Sequence, residues 1–167
     1  DEINFIDVIP EKKIWDENHN LKIYNNNDIF SDNKKLIQML NTFYEYGYVV
    51  IQNTKAEENE VINFAEKLGP VRSTNFGKLF NVVSKPNPND LAYTALELKS
   101  HSDNPYRKPV PGIQLLHCIA NESTGGDSSL VDGYSISVHL KKNYPNYYKI
   151  LTETEVNFKF TDVDVIL

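Results

Sequence analysis

The residues in this chain best suited to chemistry are His101 and Asp103, which are separated by one serine. In an extended segment, residues i and i+2 project to the same face, so an imidazole nitrogen and a carboxylate oxygen can reach one point. Two histidines and one carboxylate form the facial triad that holds Fe(II) and leaves adjacent coordination positions open for other ligands. The pair could therefore supply two of the three protein ligands of such a site.

The same spacing has a simpler interpretation, because His and Asp are common in solvated turns and hydrogen-bond readily to each other. On spacing alone, a turn histidine is the more frequent case. The other histidines are not well placed to complete a triad. His117 alternates away from Leu116 on a predicted strand, His139 lies on a predicted helix, and His19 lies in an asparagine-rich stretch. The choice between the two interpretations depends on the residues around the pair.

Helical patterns precede the pair. Apolar residues at helical spacing predict a helix from Asp32 to Tyr46, which Gly47 would end in the left-handed conformation. Thr54, with Glu57 three residues later, predicts the start of a second helix that closes at Gly69 and Pro70. Two short strands are expected beside these helices, one at Leu21 to Tyr24 and one in the buried run "YVVIQN".

The pattern changes after Pro70 to short extended pieces separated by turn residues. The predicted strands are "LFNVVS", "LAYTALEL", "GIQLLHCIA", "SSLVD" and "VNFKFTDVDVIL". Two short helices, "SISVHLKK" and "NYYKILTE", interrupt the series and are separated at Pro145. The sequence therefore predicts an α+β fold that is mainly β, with helices at its N-terminal side.

The charge and composition of the chain exclude several classes of function. The chain has 167 residues, a net charge of −6 and a pI near 5.2, so phosphate neutralisation cannot drive binding to nucleic acid. A single cysteine, Cys118, excludes a disulfide framework within the chain and a cysteine-rich zinc site. Neither a membrane-spanning apolar run nor a signal-peptide pattern is present, so we expect a cytoplasmic protein.

Several motifs in register resemble the Fe(II)- and 2-oxoglutarate-dependent dioxygenases of the TauD/TfdA family, and within it the γ-butyrobetaine and trimethyllysine hydroxylases. They are the "AYT" segment, "HSD", "PGIQ", "LLHC", "TGGDS" and "LVDG", in that order. The resemblance implies a double-stranded β-helix, or jelly roll, with His101 and Asp103 as the first two iron ligands. It also implies 2-oxoglutarate as cosubstrate, O2, a small-molecule substrate and a homodimer, although no residue pattern identifies an interface.

The resemblance also implies residues that contact the cosubstrate. Ser128 matches a hydroxyl position that helps to bind the 2-oxoglutarate carboxylate, and its alternative role is that of a turn serine. Leu116 would line the cosubstrate pocket, and it is equally compatible with an ordinary core position.

On the substrate side, Phe76, Phe80 and Tyr93 match the aromatic positions that surround a trimethylammonium group in the butyrobetaine branch. Each is also compatible with plain core packing. Asn104 stands where that branch has an aromatic residue, which leaves trimethyllysine or a sulfonate such as taurine as alternative substrates. A non-catalytic jelly-roll binding module is the alternative from another class.

In the family, the second histidine and the arginine that grips 2-oxoglutarate come after the "VDG" motif, and neither has a candidate here. Arg72 and Arg107 lie too early in the chain for that role. We therefore interpret residues 31–167 as the N-terminal portion of a jelly-roll dioxygenase domain whose C-terminal part is missing, preceded by an N-terminal segment, residues 1–30.

Overall fold

The computed structural model describes residues 10–74, 76–83, 86, 96–122, 124–125, 127–162 and 165–166. The chain divides into two compact units. The first contains Asp1–Thr54 and Leu130–Val156, and the second contains Lys55–Ser129 and Asn157–Leu167. His101 and Asp103 both belong to the second unit.

The described elements mix α-helices with short strands. In chain order they are β1 (Ile23–Asn25), α1 (Asn26–Ile29), α2 (Asn33–Tyr46), β2 (Val50–Gln52), α3 (Glu60–Leu68), α4 (Gly133–Asn143), α5 (Pro145–Glu153), β3 (Thr161–Asp162) and β4 (Val165–Ile166). None of the described helices is long and apolar enough to cross a membrane.

The first unit contains a parallel pair of strands. β1 pairs with β2, with Ile23 opposite Val50 and Asn25 opposite Gln52. Parallel neighbours need a crossover connection, and α1 and α2 provide it. Both predicted strands are observed, β2 in shortened form and β1 shifted towards the C-terminus by one to two residues. The best-buried side chains of the described residues, Ile29 at 1% exposure and Met39 at 2%, lie on α1 and α2.

Local signals set the ends of α2 as predicted. Asp32 precedes the helix, and its Oδ1 accepts a hydrogen bond from the Lys34 amide at 2.9 Å. Gly47 ends the helix at φ 80°, a left-handed conformation that glycine adopts without a Cβ clash. The two helices predicted on either side of Pro145 are also observed. Asp132 caps α4, and Pro145 begins α5.

Residues before β1 form contacts with the end of α2 and with Asp132, the residue that precedes α4. The Trp15 indole Nε1 donates to the Tyr46 carbonyl at 2.9 Å, and its backbone amide donates to Asp132 Oδ2 at 3.2 Å. Lys13 lies 2.8 Å from the Glu45 carboxylate. The hydrogen bond to Glu45 raises the pKa of the Lys13 ammonium above its ordinary value.

The predicted start of the helix after β2 is wrong. α3 begins at Glu60, follows Asn59 and has no side-chain cap, so Thr54 does not cap it. The capping box is a local pattern, and the chain between Thr54 and Glu60 instead forms one bend and one turn. The predicted end at Gly69 is confirmed, because the amide of Gly69 donates to the Ala65 carbonyl at 3.0 Å.

The sequence predicts mainly β-structure, whereas helices predominate among the described residues. In the described part of 70–129, the backbone forms a single bridge, between Thr74 and Gly77, and no continuous strand. The segments "LFNVVS", "GIQLLHCIA" and "SSLVD" are not strands where the structure describes them, and "LAYTALEL" lies mostly outside the described residues. A strand needs a neighbour for its backbone hydrogen bonds, and these segments have none within the described chain.

Candidate active site

His101 and Asp103 meet through their side chains. His101 Nε2 lies 3.2 Å from Asp103 Oδ1. The other ring nitrogen, Nδ1, lies 2.6 Å from the carbonyl oxygen of Lys99. A carbonyl only accepts hydrogen bonds, so Nδ1 must carry the proton that it donates. The Lys99 contact therefore fixes both the tautomer and the direction of the ring.

This tautomer leaves a lone pair on His101 Nε2 that faces a carboxylate oxygen of Asp103. Two acceptors at 3.2 Å repel each other unless the ring takes a second proton or a cation lies close to both atoms. A neutral imidazole whose far nitrogen is hydrogen-bonded to a carbonyl, next to a carboxylate, is the donor set of many metal sites. The chemistry of the pair thus fits a divalent metal ion.

Gln114 orients the carboxylate. Its Nε2 donates to Asp103 Oδ2 at 2.6 Å, which leaves Oδ1 directed at His101. Outer hydrogen bonds of this kind hold a metal ligand in a defined direction. In the sequence, Gln114 stands out only as part of the "PGIQ" motif, because a contact across eleven residues has no local signal.

The site is open to solvent. The side chain of His101 is 52% exposed and that of Asp103 is 38% exposed. No group of three or more His, Cys, Asp or Glu residues able to hold a metal is found within the described residues. The described chain therefore provides two adjacent donors with free space on one side.

An aromatic row lies in the same unit. The row consists, in order, of Phe80, Phe76, Phe160 and Tyr106. The distances between successive ring centres are 5.5 Å, 6.0 Å and 5.0 Å. Of the predicted substrate residues, Phe76 and Phe80 are thus brought together. Tyr106 and Phe160 were not predicted as site residues, although Phe160 lies in the predicted strand "VNFKFTDVDVIL" and Tyr106 follows Asp103 by three residues.

Asn104 connects the metal pair with this row. Its backbone has φ 55°, a left-handed conformation that asparagine tolerates better than most residues. Its Oδ1 accepts a hydrogen bond from the Tyr106 hydroxyl at 2.6 Å. The turn after Asp103 therefore carries the chain from the candidate metal ligands directly to an aromatic ring.

The remaining predicted site residues are not joined to this group. Leu116 is 74% exposed, and Ser128 is exposed. Within the described part of the chain, the polar contacts of the His101 and Asp103 side chains are with Lys99, with Gln114 and with each other, and not with Leu116 or Ser128. Tyr93 lies outside the described residues.

Comparison with known proteins identifies relatives of this chain. It is 35% identical over 153 residues to the gamma-butyrobetaine dioxygenase of Pseudomonas sp. (strain AK-1), and 34% identical over 156 residues to that of Homo sapiens. These alignments cover 92% and 93% of the chain, and the chain spans 40% of the length of each relative. It is also 35% identical over 113 residues to the trimethyllysine dioxygenase of Meyerozyma guilliermondii, which covers 68% of the chain and 28% of that relative.

A family match covers nearly the same part of the chain. The sequence profile described as "Taurine catabolism dioxygenase TauD, TfdA family" matches residues 17–163. That range includes both candidate metal ligands, Gln114 and the aromatic row. The chain therefore belongs to the TauD/TfdA family of dioxygenases.

Proposed function

We propose that this chain supplies the first two iron ligands of an Fe(II)- and 2-oxoglutarate-dependent dioxygenase. The enzyme would hydroxylate a small betaine-like or amino-acid-derived substrate similar to γ-butyrobetaine. The observation that carries the proposal is the 3.2 Å approach of His101 Nε2 to Asp103 Oδ1, with Nδ1 held by the Lys99 carbonyl. Membership of a dioxygenase family supports it.

His101 and Asp103 would hold the iron, and a histidine from outside these residues would complete the triad. When bound, iron supplies the O2 activation that couples oxidation of 2-oxoglutarate to succinate and CO2 with hydroxylation of the substrate. The protein's own part is positional. The Lys99 carbonyl keeps the proton on Nδ1 so that Nε2 remains a donor to metal, and Gln114 keeps one carboxylate oxygen turned towards it.

For the cosubstrate, we assign Ser128 and Leu116 supporting roles. The Ser128 hydroxyl would donate to a 2-oxoglutarate carboxylate, and Leu116 would cover the carbon chain. The 74% exposure of Leu116 supports this assignment, because its side chain is available to pack against an incoming group. The arginine that binds the far carboxylate would come from beyond residue 167.

For the substrate, we propose that Phe76, Phe80, Tyr93 and Asn104 line the site. A trimethylammonium group has no N–H to donate, so aromatic ring faces are the groups that attract it. The 5.5 Å separation of the Phe76 and Phe80 rings supports a shared aromatic surface. The relatives named gamma-butyrobetaine dioxygenase and trimethyllysine dioxygenase support a substrate of this kind.

We further propose that residues 31–167 form the N-terminal portion of a jelly-roll domain and that residues 1–30 precede it. Large apolar side chains of the predicted strands support this, because Ile113 is 64% exposed and Val83 is 52% exposed. Partner strands would cover such side chains and pair their backbones. We also propose that the protein is cytoplasmic and forms a homodimer.

The test follows succinate formation by the full-length gene product with Fe(II), 2-oxoglutarate and O2, in the presence or absence of γ-butyrobetaine. We expect succinate to rise with γ-butyrobetaine and to disappear in His101→Ala. His139→Ala is the matched control, because it removes an exposed histidine from α4 in the other unit. Iron-dependent succinate without this stimulation would direct attention to trimethyllysine or taurine. No iron-dependent turnover would contradict the proposal and favour a binding module.

A further inference from the structure

Arg107 carries a polar edge that the described chain leaves unsatisfied. Its Nε and Nη2 atoms are both buried, and neither has a hydrogen-bonding partner among the described residues. These nitrogens lie on one side of the planar guanidinium, and the geometry of that fork matches the two oxygens of a carboxylate. The unsatisfied edge is thus suited to an oxyanion bound through two hydrogen bonds.

Backbone and ring contacts hold Arg107 beside the candidate site. Its amide donates to the Asn104 carbonyl at 3.1 Å, which closes a turn that begins directly after Asp103. The guanidinium carbon lies 5.6 Å from the centre of the Tyr106 ring, within cation–π distance. Tyr106 belongs to the aromatic row, so Arg107 stands at the Tyr106 end of that row.

An unpaired guanidinium edge is costly, because a buried charge loses its hydration without compensation. The other arginine of these 167 residues, Arg72, does not bear this cost, because its side chain is exposed to water and its Nη1 donates to the Pro109 carbonyl at 2.7 Å. Arg107 has the same chemistry and a less exposed position, yet its edge has no such partner within the described chain. A bound anion would supply the missing acceptors.

We propose that Arg107 binds the anionic group of the substrate, the carboxylate of a betaine-like molecule. This inference rests on the proposed function, because it takes the substrate site to be the one beside His101 and Asp103. A chain with a net charge of −6 gives no general attraction for anions, so a local cation must provide it. Protein atoms shield the edge from water, so binding includes movement of the side chains that cover it.

The test observes Arg107 directly by NMR. In the full-length gene product loaded with Zn(II), which blocks turnover, the Arg107 Nε–Hε signal is identified by its loss in Arg107→Lys. The protein is titrated first with 2-oxoglutarate, then with γ-butyrobetaine, and in a parallel sample with the carboxamide of γ-butyrobetaine. We expect the signal to move with γ-butyrobetaine and to stay in place with 2-oxoglutarate and with the carboxamide.

Dissociation constants measured on the same samples give a second readout. Arg107→Gln is expected to weaken γ-butyrobetaine binding at least about tenfold while changing carboxamide binding less than about twofold. Arg107→Lys should lie between wild type and Arg107→Gln, because lysine keeps the charge but loses the fork. Lys108→Gln is the matched control, since it removes the neighbouring exposed charge and should change neither constant.

Three outcomes would overturn the inference. They are a signal that does not respond to γ-butyrobetaine, an equal response to the carboxamide, and a response to 2-oxoglutarate instead. An Arg107 Nε–Hε signal that does not respond to γ-butyrobetaine would indicate that a carboxylate of the protein binds the Nε and Nη2 atoms. Failure of the proposed function is a separate result, because succinate formation with Fe(II) is measured independently of the Arg107 signal.

Discussion

Gln114 Nε2 donates a 2.6 Å hydrogen bond to Asp103 Oδ2 while the other carboxylate oxygen faces His101. One amide therefore determines which oxygen of Asp103 is available at the candidate metal site. The two residues are eleven positions apart, so the contact depends on how the chain returns past Asp103 after the turn at Asn104.

We expect Gln114→Ala to weaken metal binding by about 10–100-fold, because the carboxylate loses the group that orients it. The measurement is a titration of the apoprotein with Mn(II), followed by the relaxation rate of the water protons or by calorimetry. Gln52→Ala removes an exposed glutamine in the other unit and should leave the affinity unchanged. Unchanged affinity in Gln114→Ala would show that Asp103 needs no such support.

Two glycines offer a test of backbone conformation. Gly47 has φ 80° and no heavy atom within 4 Å of an added Cβ, so Gly47→Ala suffers only from the left-handed conformation. We expect it to lower the free energy of unfolding by about 1 kcal/mol. Gly133 begins α4 and also has open space around an added Cβ. Gly133→Ala should raise the free energy of unfolding by about 0.5 kcal/mol.

Urea unfolding of both variants gives these free energies. Opposite signs are the expected result, because the two sites differ in backbone conformation and not in space. The same sign for both would mean that the difference in φ between the two sites does not decide the effect.

Local signals in the sequence predict the ends of some helices and not of others. Asp32 and Gly47 act on residues next to them, and the ends of α2 follow from the Asp32 carboxylate and from the backbone freedom of Gly47. Thr54 and Glu57 form an equally good local pattern, yet α3 begins at Glu60. A cap stabilises a helix by only about 1 kcal/mol, so packing of the surrounding chain can override it.

The predicted strands depend on partners that local sequence cannot supply. Ile113 and Leu116 lie in a run with clear β propensity, yet both are exposed and their segment forms no strand in the described structure. The same limit applies to the site. The spacing of His101 and Asp103 predicted their approach, whereas Gln114, Phe160 and the unsatisfied edge of Arg107 depend on tertiary placement.

Truncation of Met39 tests the packing of the core between α1 and α2. Its side chain is 2% exposed, so Met39→Ala should destabilise the first unit by about 2–5 kcal/mol through lost burial and the cavity that remains. Hydrogen exchange of α2 amides, read by mass spectrometry, reports this locally. Ile14→Ala is the matched control, because Ile14 is 55% exposed and its truncation should cost less than about 0.5 kcal/mol. Equal protection in both variants would contradict burial of Met39.

Phe160 joins the two halves of the aromatic row. Its ring meets Phe76 edge to face at 6.0 Å and stacks on Tyr106 at 5.0 Å, so its removal separates the Phe76 and Phe80 pair from the ring beside Arg107. If the row holds a quaternary ammonium group, Phe160→Ala should weaken γ-butyrobetaine binding by about tenfold, the scale of one cation–π contact. The measurement is calorimetry with the Zn(II)-loaded protein.

Phe158→Ala provides the control for this variant, because Phe158 is two residues away and 56% exposed. Its removal should leave γ-butyrobetaine binding unchanged. A neutral analogue, in which a tert-butyl group replaces trimethylammonium, separates charge recognition from simple packing. If Phe160→Ala weakens binding of the neutral analogue as much as that of γ-butyrobetaine, the row contributes apolar surface and not attraction for a cation.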